Sequence, residues 1–235
     1  AIKPCNDFLQ PTREKGLPMT LHKLAIGMSV ILATSGIFQV ATGAEKCAKK
    51  DKCEVLFDGS DLSKWECKEG GWIIESDGSL ARQPGGGYIW SKDRFDDFVL
   101  SLEFKVSDGC DSGIFIRTDN PRNCVQTGIE VQVLDSHGKS NVGKHDCGAI
   151  YDCLAPGANA VKPPGEWNEI TITADDNKIQ VVLNETSVID MDLNLWTEAH
   201  QNPDGSRNKF NTAYKDMKRD GHIGFQDHGK PVWYR

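Results

Sequence analysis

The sequence predicts an all-β fold, a sandwich or a barrel, over residues 45–235. Three observations predict it: short runs with period-two alternation, clusters of Gly, Asn, Asp and Pro between them, and no apolar stripe at helical spacing. The first long strand covers residues 98–106. Leu100, Leu102 and Phe104 fall on one face, with Ser101, Glu103 and Lys105 opposite. A second strand covers 112–117, with Ile114 and Ile116 on one face and Arg117 on the other. The third, 128–135, alternates strongly: Ile129, Val131 and Val133 point one way, Glu130 and Gln132 the other. Residues 169–174 and 178–184 flank Asp175-Asp176-Asn177 and read as a β-hairpin, which 187–190 extends. Residues 88–90, after Gly85-Gly86-Gly87, read as a further strand. Residues 222–226 and 232–234 read as the closing strands. The segment from Trp196 to Asp220 is polar and without periodicity. It reads as a long loop with a short helical turn near residues 213–217, and long loops in compact domains are often functional.

The N-terminal part has a different character. Residues 19–44 carry a weakly basic start (His22, Lys23), an interrupted apolar run over 24–40, and the small residues Ala41-Thr42-Gly43-Ala44. This is the pattern of a secretory signal peptide, and the run is too short and broken for a comfortable membrane span. Secretion or export to a periplasm is therefore expected, with no stable membrane span after cleavage. Residues 1–18 show no periodicity and are set apart as an upstream segment outside the mature protein. Residues 45–235 remain as one domain, long enough to bury a core.

The whole chain has 27 Lys and Arg against 34 Asp and Glu, a formal charge of −7. Residues 1–44 hold Lys3, Arg13, Lys15 and Lys23 against Asp7 and Glu14, so the remainder carries −9. An acidic domain without a basic cluster repels phosphate backbones, which argues against nucleic acid as a partner. Of eight Cys, Cys5 lies in the upstream segment and the other seven follow residue 44. Export makes disulfides expected, and Cys147–Cys153, Cys110–Cys124 and Cys53–Cys67 are the pairings to test, with Cys47 left over.

If the strands belong to one sheet, its outer face collects Glu103, Arg117, Glu130, Gln132, Gln226 and His228. Such a set suits sugar hydroxyls, which both donate and accept hydrogen bonds. A plain polar face is the alternative. His228, in Gln226-Asp227-His228-Gly229, is a candidate general acid or base, a metal ligand, or a capped loop residue. Among six Trp, Trp65, Trp72 and Trp167 read as core, and Trp196, in the polar loop, as an exposed platform for a sugar ring. Asp135, His137, His145 and Asp146 make a His/Asp-rich stretch that could hold a divalent metal, although their spacing fits no specific ligand pattern. Asp135 is also a candidate substrate-binding residue. There is no phosphate-binding Gly-rich loop and no Gly-x-Ser-x-Gly nucleophile elbow.

Several blocks, in order, carry a family resemblance. They are Leu56-Phe57-Asp58-Gly59 with Leu62-Ser63-Lys64-Trp65; 112–117; 128–135; Gly148-Ala149-Ile150-Tyr151-Asp152; Gly165-Glu166-Trp167-Asn168; and Gly221-His222-Ile223-Gly224-Phe225-Gln226-Asp227-His228-Gly229 with Val232-Trp233-Tyr234-Arg235. Together they resemble the 3-keto-disaccharide hydrolase domain family, also described as 3-keto-glucoside 1,2-lyase/3-keto-2-hydroxy-glucal hydratase. The sequence departs from the family at Asn184-Glu185, where Asn-Gly is usual, and it ends before the usual Asn-Ile. The resemblance implies a concanavalin A-like jelly roll of two antiparallel sheets with the sugar site on its concave face. It implies cleavage of a 3-keto-glycoside by proton abstraction at C2, β-elimination and rehydration. Glu130 and His228 are then candidates for base and acid, and Tyr151 for proton donor. Arg117, Gln132 and Gln226 would hold sugar oxygens. A divalent metal on Glu130 and His228 could instead polarise the C3 carbonyl. An ordinary glycosidase would need two carboxylates, for which Glu103 and Glu130 are the candidates. The competing class is a non-catalytic carbohydrate-binding, lectin-like module.

Overall fold

The computed structural model describes residues 3–5 and 53–235; the signal-like segment 19–44 and Cys47 lie outside the described residues. Two antiparallel sheets pack face to face, as a jelly-roll sandwich requires. The smaller runs β2 (Trp65–Glu66), β5 (Ile89–Ser91), β12 (His222–Phe225), β7 (Asp111–Thr118), β8 (Ile129–Leu134). The larger runs β11 (Thr186–Asp192), β10 (Lys178–Leu183), β9 (Asn168–Asp175), β6 (Phe98–Val106), β13 (Val232–Tyr234), β4 (Leu80–Arg82), β3 (Trp72–Ile74). All the strands predicted from alternation form, with ends that differ by a residue or two. The short β2, β3 and β4 have too few residues to show a period.

Sequence analysis gives residues 3–5 no place in the fold. Here Lys3–Cys5 forms β1, antiparallel to β6, with Lys3 opposite Ser101 and Cys5 opposite Val99. On that side of β6, β13 pairs only with Phe104 to Val106, so β1 covers an edge otherwise unpaired. One helical turn, α1 (Cys124–Thr127), sits between β7 and β8. No helix among the described residues is long and apolar enough to cross a membrane.

Alternation sorts the core as expected. Leu100, Phe104, Ile114, Val131, Val133, Ile172, Val181, Ile223 and Phe225 are all buried between the sheets. Trp65 and Trp72 stack into the same layer around Phe225 and Tyr234. Asn184 and Glu185 turn the β10–β11 hairpin with φ of 47° and 66°, the left-handed geometry that explains why Asn-Gly is the usual pair there.

Three expectations fail. First, β6 lies in the larger sheet, so Glu103 does not share a face with Glu130. It pairs across the strand with Glu169 and its carboxylate binds Arg235. Second, Trp196 is no exposed platform. It is 5% exposed, and its indole donates to Asn202. With Phe210, Ala213, Tyr214 and Met217 it gives the long loop a small core of its own, and the predicted helical turn forms at Tyr214–Asp216. Third, Cys67, Cys110, Cys124, Cys147 and Cys153 are free thiols, so none of the three proposed disulfides forms. Cys110 and Cys124 flank opposite ends of the eight-residue β7, far beyond disulfide reach. Cys153 lies against Tyr214.

Candidate functional site

The outer face of the smaller sheet is built from the positions that alternate with the core. Glu130 and Gln132 on β8 stand opposite Phe115 and Gly113 on β7, and Gln226 bonds through its backbone N–H to Gly113 O. Gly113 is required for space. A Cβ there would lie 2.4 Å from Glu130 Oε1, so the missing side chain lets the carboxylate lie flat across β7.

Two loops roof this face. Segment 148–151 runs along the free edge of β8, with Gly148 N–H donating to Gln132 O, Gln132 N–H to Ala149 O, and Tyr151 N–H to Glu130 O. That pairing sets Tyr151 beside Glu130. The long loop then brings Lys209 Nζ 4.0 Å above the Tyr151 ring, anchored where Lys209 N–H donates to Asp152 and Gln126 holds Lys209 O. The His145 ring packs tilted against Tyr151, ring centres 4.7 Å apart.

Under this roof Glu130 is 6% exposed, Gln132 1% and Gln226 8%. Burial pushes the Glu130 carboxyl up to about 7, because its charged form is stripped of water. The nearby Lys209 charge offsets part of the rise, Asp111 adds to it, and the Gln226 amide donates to Glu130 Oε1 at 3.1 Å. A carboxyl poised near neutrality, in a site where it can change charge, is the signature of a proton-transfer group. Tyr88 flanks the same group, and burial raises its phenol to about 12. Tyr151 is raised too, again chiefly by burial, and so stays protonated at neutral pH.

A second constellation adjoins. Asp111 Oδ2 meets His228 Nδ1 at 2.8 Å, and Asp111 Oδ1 accepts from Gln132 Nε2 at 2.9 Å. His228 hangs on a turn fixed by Asp227, which forms a buried ion pair with Arg82 and accepts from the Gly87 and Gly229 N–H groups. Neither Gln132 Oε1 nor Gln226 Oε1 has a partner among the described residues, although both atoms are buried. Buried acceptors are rarely left unpaired, and here two of them lie on the same face as one buried carboxyl.

The structure thus gathers Glu130, Gln132, Gln226, Tyr151 and His228 on one face, and adds Asp111, Tyr88 and Lys209, which sequence reasoning did not single out. Asp111 precedes the residue taken as the strand start; extending the alternation back by one from Gly113 and Phe115 would have found it. Arg117 does not join them. It is 1% exposed, with φ of 49°, at a bulge where Ile116 and Arg117 face the single residue Ile223. The bulge turns its guanidinium off the outer face to bind Asp96 O, Asp176 O and the Asp97 carboxylate, on turns of the larger sheet. Asp135 accepts from Gly109 N–H and closes the β7–β8 end.

A divalent ion takes several converging oxygen or nitrogen ligands. Among the described residues, no three His, Cys, Asp or Glu side chains converge that way. Asp111 and His228 spend their facing atoms on each other. In the His/Asp-rich stretch, His137 bonds Val161 O, Asp146 binds Lys139, and His145 pairs with Asp152. These residues do not make a metal site as they stand.

Comparison with known proteins shows the family. The chain is 31% identical over 217 residues to a 3-keto-disaccharide hydrolase of Bacteroides thetaiotaomicron, covering 77% of this chain and 75% of the relative. A crystal structure of a candidate glycosyl hydrolase from Parabacteroides distasonis superposes with a TM-score of 0.70 at 31% identity, covering 75% of this chain and 92% of that one. A second from the same organism gives 0.58 at 29%, over 77% and 80%. Residues 52–235 match the description of a 3-keto-alpha-glucoside-1,2-lyase-like domain, and the chain belongs to that family of hydrolases acting on glycosides.

Proposed function

We propose that this enzyme cleaves 3-keto-glycosides by eliminating the C1 substituent and rehydrating the product. The observation that carries the reading is Glu130: a buried carboxyl held near pKa 7, lying over Gly113 and accepting from the Gln226 amide, on a face with two unpaired amide oxygens. A ketone at C3 acidifies the C2 proton, and a carboxylate of that basicity is matched to removing it at neutral pH. The C2–H bond breaks, its proton goes to Glu130, and its electron pair forms the enolate with C3. Collapse of the enolate then breaks the C1–O bond. The leaving oxygen takes a proton from Tyr151, whose phenol is protonated at this pH. Water adds at C1 and C2 is reprotonated, so the net reaction is hydrolysis.

His228, oriented through Nδ1 by Asp111, leaves Nε2 as an acceptor for a sugar hydroxyl. The free oxygens of Gln132 and Gln226 accept from sugar hydroxyls. Desolvation under the two loops strengthens each of these contacts. The reading includes export, on the pattern of residues 19–44, and cell fractionation checks it.

The test is turnover of a methyl 3-keto-glucoside in D2O, followed by NMR. Deuterium entering at C2, with methanol released, is the expected result. Release of methanol without C2 exchange would point to direct displacement at C1. Sugar binding with no turnover would leave a lectin-like module.

A further inference from the structure

We infer that the same sheet carries a second sugar subsite, a groove centred on Trp90 that receives the departing, unoxidised ring. The inference rests on the reading of Glu130 given above. Register makes the connection. Glu130 stands opposite Phe115, Phe115 opposite Gly224, Gly224 opposite Trp90, and Trp90 opposite Glu66, one continuous row across all five strands. With strands about 4.8 Å apart, the Gly224 position lies about 10 Å from Glu130 along that row.

Trp90 does not stand upright at its own position. A Cβ on Gly224 would fall 2.3 Å from its ring, so the indole lies over Gly224 and leans back toward Glu130. Phe115 and Tyr88 pack against it at 5.8 and 5.9 Å between ring centres, which fixes the plane of the platform. Beyond it opens a groove of about 580 Å³, walled by Glu66, Arg122 and His222 with Tyr88 and Trp90. That is within the roughly 300–1,000 Å³ typical of small-molecule sites.

The wall chemistry selects the ligand. The Glu66 carboxylate and the Arg122 guanidinium have no hydrogen-bond or ion-pair partner among the described residues, although they flank one groove. His222 donates from Nδ1 to Ser91 O at 2.8 Å, which leaves Nε2 as an acceptor. An indole face with one acceptor carboxylate, one donor fork and one imidazole acceptor fits a neutral ring that has an apolar face and hydroxyls on its rim. A phosphate would be repelled by Glu66, and a purely apolar ligand would strand the charged walls. A pyranose satisfies all of them. The linkage oxygen then falls between Trp90 and Glu130, where elimination releases it.

Two measurements test this. The first compares a 3-keto-glucosyl-glucose disaccharide with methyl 3-keto-glucoside, which lacks the second ring. Trp90→Ala and Arg122→Ala should each raise KM for the disaccharide about tenfold more than KM for the methyl glycoside. Equal effects on the two substrates, or none, would overturn the subsite. The second does not depend on turnover. The Trp90 indole N–H resonance, assigned by its loss in Trp90→Phe, should shift on titration with millimolar glucose, and the shift should weaken severalfold in Arg122→Ala. An unmoved resonance overturns the subsite even if catalysis is found. A shift in a protein that turns over neither substrate keeps the subsite and rejects the reading of Glu130.

Discussion

The outer faces of the two sheets follow the same rule of alternation and end in opposite states. On the larger sheet, Glu103 is paired with Arg235 at a site where both side chains stay about two-fifths exposed, at 37% and 41%. Ser101, Lys105, Thr171 and Thr173 around it are half-buried. On the smaller sheet, Glu130 and its neighbours are almost wholly buried. The strands do not make this difference. Tyr151 of segment 148–151 and Lys209 of the long loop lie beside Glu130 on one face, and the other face stays half-buried. What separates the Glu130 carboxyl from an ordinary surface one is its burial, which removes water.

The sharpest way to break that contrast is Glu130→Gln, which keeps shape and removes the proton chemistry. We expect kcat to fall by about 10³-fold, within the usual range for loss of a general base. Wild-type kcat/KM should rise with pH through about 7, since the base must be ionised. Stability should run the other way. The folded carboxyl, near 7, binds its proton more tightly than the unfolded one, near 4.5. Stability is therefore fully present below about pH 4.5 and is lost as pH rises through about 7. The loss is worth about 3 kcal/mol. Urea denaturation should find the Gln variant more stable at pH 8 by up to that amount, and equal to wild type near pH 4.

Gly113→Ala attacks the same carboxyl through space. Its Cβ would meet Glu130 Oε1 at 2.4 Å, so the side chain must leave its bed. Activity should drop about tenfold to a hundredfold, with a stability cost of about 1–3 kcal/mol from overpacking. A normal kcat in a folded Ala variant would show that the flat pose of Glu130 is unnecessary. Arg117→Met sharpens the comparison from the other side. Its guanidinium ties the smaller sheet to turns of the larger one. Losing it should cost about 2–4 kcal/mol by thermal denaturation, moderated because Asp97 is partly exposed. Kinetic constants of the folded variant should stay within twofold.

How much of this was legible in the sequence follows from the range of each signal. Period-two alternation is local, so it sorts Glu130, Gln132 and Gln226 away from Ile129, Val131, Ile223 and Phe225 correctly, while His228 reaches the face from a turn beyond the end of its strand. It could not say which sheet a strand joins, because that depends on pairings far along the chain; hence Glu103 was grouped with Glu130. It failed at Arg117 because a bulge inserts one residue and turns the next side chain aside. Trp196 was misread because the long loop buries its aromatic residues at irregular intervals, around Asn202 and Asn208, with no period to reveal a core. Lys209 and Tyr151 meet only through the packing of two loops, and no spacing in the sequence announces that contact.

The smallest expected effect completes the contrast. Glu103→Gln removes an acid of the same kind, from the same position of the alternation, on the unroofed face. An exposed ion pair contributes about 0–1 kcal/mol, because water screens it and two long side chains must be held in place. Stability should move by no more than that, and kcat and KM should match wild type. If Glu103→Gln instead lowered kcat as deeply as Glu130→Gln, the two carboxylates would be acting together across a glycosidic bond. The sandwich keeps them on outer faces of different sheets with the whole core between. Separations that large are incompatible with the ~5–9.5 Å spacing that paired-acid hydrolysis demands. An unaffected Glu103→Gln variant, beside a crippled Glu130→Gln, is therefore what a single buried base working on an activated C2 proton requires.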